Sequence, residues 1–368
     1  MVSRSFCASV FLATWCLLLV GCMQDFVDRG ETLGNATDDE HDLLTIGSVA
    51  PALDIEHWVS DGEGRLPPVT EFARGQVYVV EFWATWCGPC IHGIPHLSEL
   101  QQQYADRGVT IVSVSDEPLD TVTKFIDQPV ADFVLSAIED LADVDDETPA
   151  DKPTYGEFTK HYCLTTDPDR SVNEDYMQAA RQSGIPTAFV VGKTGHIEWI
   201  GHPVQLDEPL EQVVAGTWDR DAFASKFTPT QRVRALFEQA AMAVQQGEIA
   251  KARKIANSMR QVSTESHAQQ LADSYTARLD FYIFRNHLDH DQKKAAELMP
   301  TLVEHLDGNA QQINQLTWGI VKRAEAGESV SDELLQQAAD VTEAALNPSA
   351  PEGSLLDTIA HCYYHLGD

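Results

Sequence analysis

The sequence predicts an α/β domain followed by an all-α, helical-repeat-like domain. Three observations carry this expectation. First, Val77 to Trp83 is an apolar run with a single acid, Glu81, inside it. A helical stretch from Ile91 to Arg107 follows, Gly108 stops it, and Val109 to Ser115 is a second apolar run. Strand, helix and strand in that order make a parallel crossover unit. Second, Ile185 to Gly192 has the character of a turn plus strand, Lys193-Thr194-Gly195 of a hairpin turn, and His196 to Gly201 of the return strand. Third, from about Asp221 onward the pattern is helix only. Apolar residues there recur at helical spacing, as in Val233, Leu236, Phe237, Ala240 and Ala241.

Taken in order, the elements of the first domain are expected as follows. Ala52 to Trp58 forms a short strand, with a turn at Ser60 to Gly64. The crossover unit comes next, with Pro95 kinking or restarting its helix. Thr121 to Gln128 forms a helix and Ala131 to Ala137 a strand. Residues 139–160 read as an acidic insertion, with Pro149 and Pro153 and seven acids between Glu139 and Asp151. His161 to Thr166 forms a strand, Asn173 to Ser183 a helix closed by Gly184, and Glu208 to Ala215 a helix after the hairpin. The second domain is expected to hold helices at 229–246, 248–262, 266–285, 291–306, 311–326, 331–346 and 355–366. Helix pairs with short turns suggest a repeat array, although no clean 34-residue period is present. Leu355 to Asp368 resembles the first helix of a tetratricopeptide repeat, whose partner helix would follow.

Composition narrows the function. A length of 368 residues suggests two or more domains, and 43% apolar residues suffice for sizeable cores. The net charge of −32 leaves no basic field to neutralise phosphates, so nucleic acid is excluded as a partner. The same acidity gives a well-solvated surface. At the N-terminus, Arg4 precedes an uncharged stretch from Phe6 to Val20 that ends in Leu19-Val20-Gly21-Cys22. A basic start, a short apolar core and small residues at its end describe a secretory signal peptide over residues 1–22, too short to favour a spanning helix. Leu-Val-Gly-Cys resembles the lipobox of bacterial lipoproteins, which implies a lipid on Cys22 and a membrane tether on the periplasmic side. An ordinary cleaved signal is the alternative. Residues 23–45, polar and acidic, form a flexible tether, and the α/β domain then covers 46–220 and the helical domain 221–368.

The chemistry-bearing stretch is Trp86-Cys87-Gly88-Pro89-Cys90, between the first apolar strand and its helix. A helix N-terminus offers free N–H groups and the positive end of the dipole, and both favour a thiolate. Two intervening residues let both sulfurs share one helical turn, and a proline there loses no needed N–H. A thiolate can then attack a disulfide, and the second thiol can release the product. A buried carboxylate at Glu81 would have a raised pKa and could take the proton from Cys90. A satisfied core acid is the alternative role for Glu81. Of the seven cysteines, Cys7 and Cys16 leave with the signal, and Cys163 and Cys362 are expected as small buried residues. No second cysteine pair completes a zinc site, His161-Tyr162-Cys163 has the wrong spacing, and Pro95 lies between His92 and His96. No metal and no cofactor is expected beyond the redox-active pair itself.

Trp-Cys-Gly-Pro-Cys resembles the active site of the thioredoxin-like superfamily, and the resemblance covers residues 46 to 220. It implies an α/β thioredoxin-like fold, a central mixed sheet flanked by helices. Cys87 then corresponds to the exposed nucleophile and Cys90 to the buried resolving cysteine. Pro186 matches the family's cis-proline, and Glu81 the buried acid beneath the pair. Trp86, Gly88, Pro89, Ile185 and Thr187 become the substrate-docking surface. The signal peptide, the wording Phe82 to Cys87 and the long segment before Pro186 are most similar to the extracytoplasmic branch. That branch includes proteins of cytochrome c maturation and redoxins related to alkyl hydroperoxide reductase. Two positions depart from the pattern: Gly93 stands where that branch often has an acid, and Val109–Ser115 holds no counterpart of the lysine that accompanies the buried acid.

The implied function is an extracytoplasmic thiol–disulfide oxidoreductase. Its partners would be protein disulfides and an electron donor or acceptor, with the direction of transfer open. A thiol peroxidase is the first alternative, but its Thr-X-X-Cys arrangement is absent, since Thr85 lies only two residues before Cys87. A scaffold whose helical domain binds a protein partner is the second.

Overall fold

The computed structural model describes residues 43–135 and 152–367. The signal segment, Cys22, most of the acidic tether and most of the acidic insertion lie outside the described residues. The chain divides into two compact units, Glu40–Arg234 and Ala235–Asp368, and one helix, Arg220–Gln245, runs through the division.

In the first unit the strands are β1 (His57–Trp58), β2 (Val77–Phe82), β3 (Val109–Ser115), β4 (Cys163–Thr166), β5 (Thr187–Val191) and β6 (Ile197–Gly201). They form one six-stranded sheet in the order β1-β4-β3-β2-β5-β6. β2, β3 and β4 run parallel, while β5 lies antiparallel beside β2, β6 antiparallel beside β5, and β1 is an antiparallel edge on β4. All six residues of β2 are buried, as a central strand covered on both faces requires. Successive residues alternate between two cores. Val77 and Val79 join Ile94, Leu97 and Leu100 on one face, and Tyr78, Val80 and Phe82 join Tyr176 and Phe189 on the other.

The crossover between β2 and β3 is helix α1 (Gly88–Tyr104). Its buried face is Cys90, Ile94, Leu97, Gln101 and Tyr104, a run at three- and four-residue spacing. Each buried aliphatic side chain on that face contributes about 1.5–3 kcal/mol. Gln101 adds polar registration: its amide donates to the Val109 carbonyl at 2.9 Å and accepts the Ile111 N–H at 2.7 Å. The helix continues through Pro95 without restarting. The remaining helices are α2 (Leu119–Ile126), α3 (Asp132–Leu135), α4 (Tyr155–Thr159), α5 (Ser171–Asn173) and α6 (Asp207–Ala215).

Three local expectations are corrected. Ala131 to Ala137 does not begin a strand. The N–H groups of Val134 and Leu135 bond back to the Ala131 carbonyl, and both side chains enter the core as the short helix α3. Only His57 and Trp58 of the first expected strand pair with the sheet, opposite Thr166 and Thr165. The N–H of Leu53 instead reaches the Thr70 carbonyl, away from any ladder. The helix expected over 173–183 stops early: α5 passes into a π-turn, Glu174–Gln178, which seats Tyr176 and Met177 in the core.

α7 (Arg220–Gln245) begins well before Pro229, which lies inside it and forfeits one helical hydrogen bond there. Its first turns hold Phe223 and Phe227, whose rings lie 5.6 Å apart. Gln231, in the same helix, donates to the carbonyls of Leu44 and Ala180 at 2.7 Å each. The second unit continues with α8 (Ile249–Met259), α9 (Ser266–His290), α10 (Gln292–His305), α11 (Ala310–Glu325), α12 (Asp332–Ala344) and α13 (Gly353–Leu366). Side chains of Glu265, Asp291, Asn309 and Ser331 cap four of these helices by accepting first-turn N–H groups. The core of this unit is apolar, with Leu279, Ile283, Met299, Leu302, Ile320, Val321, Leu334 and Leu355 all buried. Among the described residues no helix is long and apolar enough to cross a membrane.

Candidate active site

β2 ends at Phe82, and the chain turns through Trp83 to Trp86 before α1 starts. Cys87 is the N-cap of α1, in extended backbone geometry, and Pro89 occupies the first turn. Cys87 and Cys90 form a disulfide with their Cα atoms 5.2 Å apart. The Cys87 Sγ accepts the backbone N–H of Cys90 at 3.3 Å. That N–H is one of the first-turn donors with no partner inside the helix. The helix therefore aims a hydrogen bond and the positive end of its dipole at one particular sulfur.

The opposite wall comes from the segment before β5. The Ile185–Pro186 peptide is cis, and the Ile185 carbonyl oxygen lies 3.8 Å from Cys87 Sγ. Pro186 and Thr187 are buried, and the Thr187 hydroxyl donates to the Gly184 carbonyl at 2.7 Å. Around the pair, Trp86 is 65% exposed, and Gly88 and Pro89 are exposed with it. Cys87 is more covered than an exposed nucleophile would be, at 5% exposure, with the Ile185 carbonyl oxygen beside its sulfur.

Glu81 lies beneath. It shares its strand face with Val77 and Val79, the face that α1 covers. It pairs across the sheet with Ser113 on β3 and Ala188 on β5. Only 2% of it is exposed, and burial pushes its carboxyl up to about 7, opposed by a hydrogen bond from the Ser113 hydroxyl. Ser113 thus supplies the polar contact at the strand position beside the acid. Tyr162, buried in the same core, has its hydroxyl pushed well up, by burial first and by the nearby Glu81 charge second.

One residue at the site escaped the sequence reading. Glu117, two residues past β3, accepts the Thr85 backbone N–H at 2.6 Å and the Thr85 hydroxyl at 2.7 Å. Ser115 donates to the same carboxylate at 3.2 Å. The loop that presents Trp86 and Cys87 is therefore tied to the end of the neighbouring strand. The partners lie 32 residues apart, so no local pattern marks them. Strand pairing of β2 with β3 was the available signal, since it brings both strand ends to one edge.

The other sequence candidates separate from the site. His96 bonds Asp207 at 3.0 Å, and His92 stacks on Phe133. Cys163 and Cys362 are buried and unpaired, and burial pushes their thiols up to about 12 and about 11. Neither is a thiolate at neutral pH.

Residues 46–200 match the AhpC/TSA family model. Protein FixW of Rhizobium leguminosarum is 30% identical over 180 residues, which cover 48% of this chain and 68% of that protein. The chain belongs to the AhpC/TSA-related, thioredoxin-like redoxins. Thiol-disulfide oxidoreductase ResA of Geobacillus thermodenitrificans is 37% identical over 90 residues, or 24% of this chain. This redoxin spans 49% of the length of that relative. Among solved structures, a putative thiol:disulfide interchange protein DsbE from Chlorobium tepidum aligns over 48% of this chain and 99% of its own, at 18% identity and a TM-score of 0.31. The family is one of oxidoreductases, and this redoxin is an oxidoreductase of that kind.

Proposed function

We propose that this redoxin is an extracytoplasmic thiol–disulfide oxidoreductase that exchanges disulfides with proteins through the Cys87–Cys90 pair. The observation that carries the reading is the first-turn N–H of α1 directed at the Cys87 sulfur. In the reductive direction, the Cys87 thiolate attacks a substrate disulfide. One substrate sulfur leaves as a thiolate, and a mixed disulfide forms. Cys90 then gives its proton to Glu81 and attacks the Cys87 sulfur. The second substrate thiolate leaves, the Cys87–Cys90 disulfide forms, and two electrons have passed to the substrate. The oxidative direction is the reverse of the same steps. Glu81 suits the proton transfer because its carboxyl, raised to about 7, sits near the operating pH.

Trp86, Gly88, Pro89, Ile185 and Thr187 form the docking surface in this reading, and the Ile185 carbonyl offers backbone to an incoming peptide. Peroxide chemistry is disfavoured, because the Thr85 hydroxyl is engaged by Glu117 rather than turned to Cys87. The Leu19-Val20-Gly21-Cys22 lipobox supports a lipid anchor at Cys22, and the helical unit is a candidate surface for a protein partner. Insulin-disulfide reduction tests the central claim. Cys87→Ser is expected to abolish turnover, and undiminished turnover in that variant would end the proposal.

A further inference from the structure

The helical unit holds a constellation that the redox reading does not use. His361 and His365 stand one turn apart on α13, and Glu325 ends the facing helix α11. One nitrogen or oxygen from each of the three lies within 4.8 Å of the other two. Glu325 Oε1 and His361 Nδ1 are 3.1 Å apart. Donors about 2.0 Å from a tetrahedral zinc ion stand about 3.3 Å from each other, so this pair already has the spacing of two ligands. On the far side of the ring, His361 Nε2 faces Asp357 Oδ1 at 3.7 Å. A carboxylate behind a ligating imidazole fixes its tautomer and orientation. Trp318 packs edge-on against the same ring at 5.3 Å, so the imidazole is held from a third direction.

His365 supplies the second, independent observation. Its Nε2 is buried and has no hydrogen-bond partner among the described residues. A buried ring nitrogen without a partner is costly, and a metal ion is a partner that removes that cost. An ion pair between Glu325 and His361 alone leaves this nitrogen unexplained.

We propose that Glu325, His361 and His365 bind a divalent transition-metal ion of the zinc class, with Asp357 orienting His361. Two imidazoles and a carboxylate suit zinc better than magnesium or calcium, which take oxygen ligands. Such an ion bonds to α11 and α13 at once and staples the two helices together. The staple is separate from the Cys87–Cys90 chemistry and stands or falls independently of it.

The test uses the full chain without a polyhistidine tag and with Cys87–Cys90 held oxidised, so that reactive thiols do not bind metal. Titration against a chromophoric chelator should show one zinc per chain. His361→Ala and His365→Gln should each weaken binding at least about tenfold, and Cys362→Ala should leave it unchanged. Magnesium at the same concentration should not bind. Cobalt(II) added to the unaltered chain should give the intense visible bands of a tetrahedral site, a readout that needs no variant to fold. No saturable zinc binding, equal binding in His365→Gln, loss of binding in Cys362→Ala, or a cobalt spectrum of the hydrated ion would overturn the site.

Discussion

Replacing Glu81 by Gln removes one titratable proton from the core and changes little else in shape. Burial holds the carboxyl at about 7 against an ordinary 4.5. Each unit of such a difference corresponds to about 1.4 kcal/mol, so ionising Glu81 in place costs about 3 kcal/mol more than in the unfolded chain. The sign follows from proton counts. Between pH 4.5 and 7 the folded protein keeps this proton while the unfolded chain has released it. The contribution is therefore fully present below 4.5 and falls as pH rises through 7, by about 3 kcal/mol in all. Urea unfolding of the native protein from pH 4 to 8 should show this decline, and Glu81→Gln should lack it. The same variant should form the mixed disulfide normally but resolve it slowly, because Cys90 loses its proton acceptor. Acid quenching followed by mass spectrometry would count trapped mixed disulfide. An unchanged pH dependence of stability, together with unchanged resolution, would refute both the burial argument and the role of Glu81.

Two further outcomes follow from the site and the N-terminus. Glu117→Ala strands the Thr85 N–H and hydroxyl together; a loss of about 1–3 kcal/mol in urea unfolding is expected, with slower insulin reduction, and an unchanged midpoint would show that the tie is unimportant. Intact-mass measurement of the mature protein should find an N-terminal diacylglyceryl-modified Cys22, whereas an unmodified terminus on either side of Cys22 would sink the lipid anchor.

The cysteine pair at the start of α1 was legible because its signals are local. A strand-like run, two cysteines at fixed spacing and a helix that must begin there all lie within 30 residues. The helices of the second unit were legible for a similar reason, since a 3.6-residue apolar period is written in each segment. Short segments read less well. The sequence around Val134 suits a strand as readily as a helical turn, and only its burial in the same core as Tyr155 and Phe125 selects the turn. At Pro229, proline suggests a helix start, yet the partly buried Phe223 and Phe227 ahead of it extend the helix backward.

By itself, the sequence determined where the cysteine pair lies relative to a strand end and a helix start, because a Cys-X-X-Cys is defined by covalent neighbours and a local dipole. It also determined that an acid lies inside the central strand. Only the tertiary structure decided what surrounds those residues. Burial depth sets the Glu81 carboxyl at about 7, sheet register places Ser113 beside it, and strand adjacency brings Glu117 to Thr85. The Glu325–His361–His365 constellation belongs to the same class. Its two histidines are four apart in sequence, but the third ligand arrives on another helix, and the energetics of a site depend on what is near in space rather than along the chain.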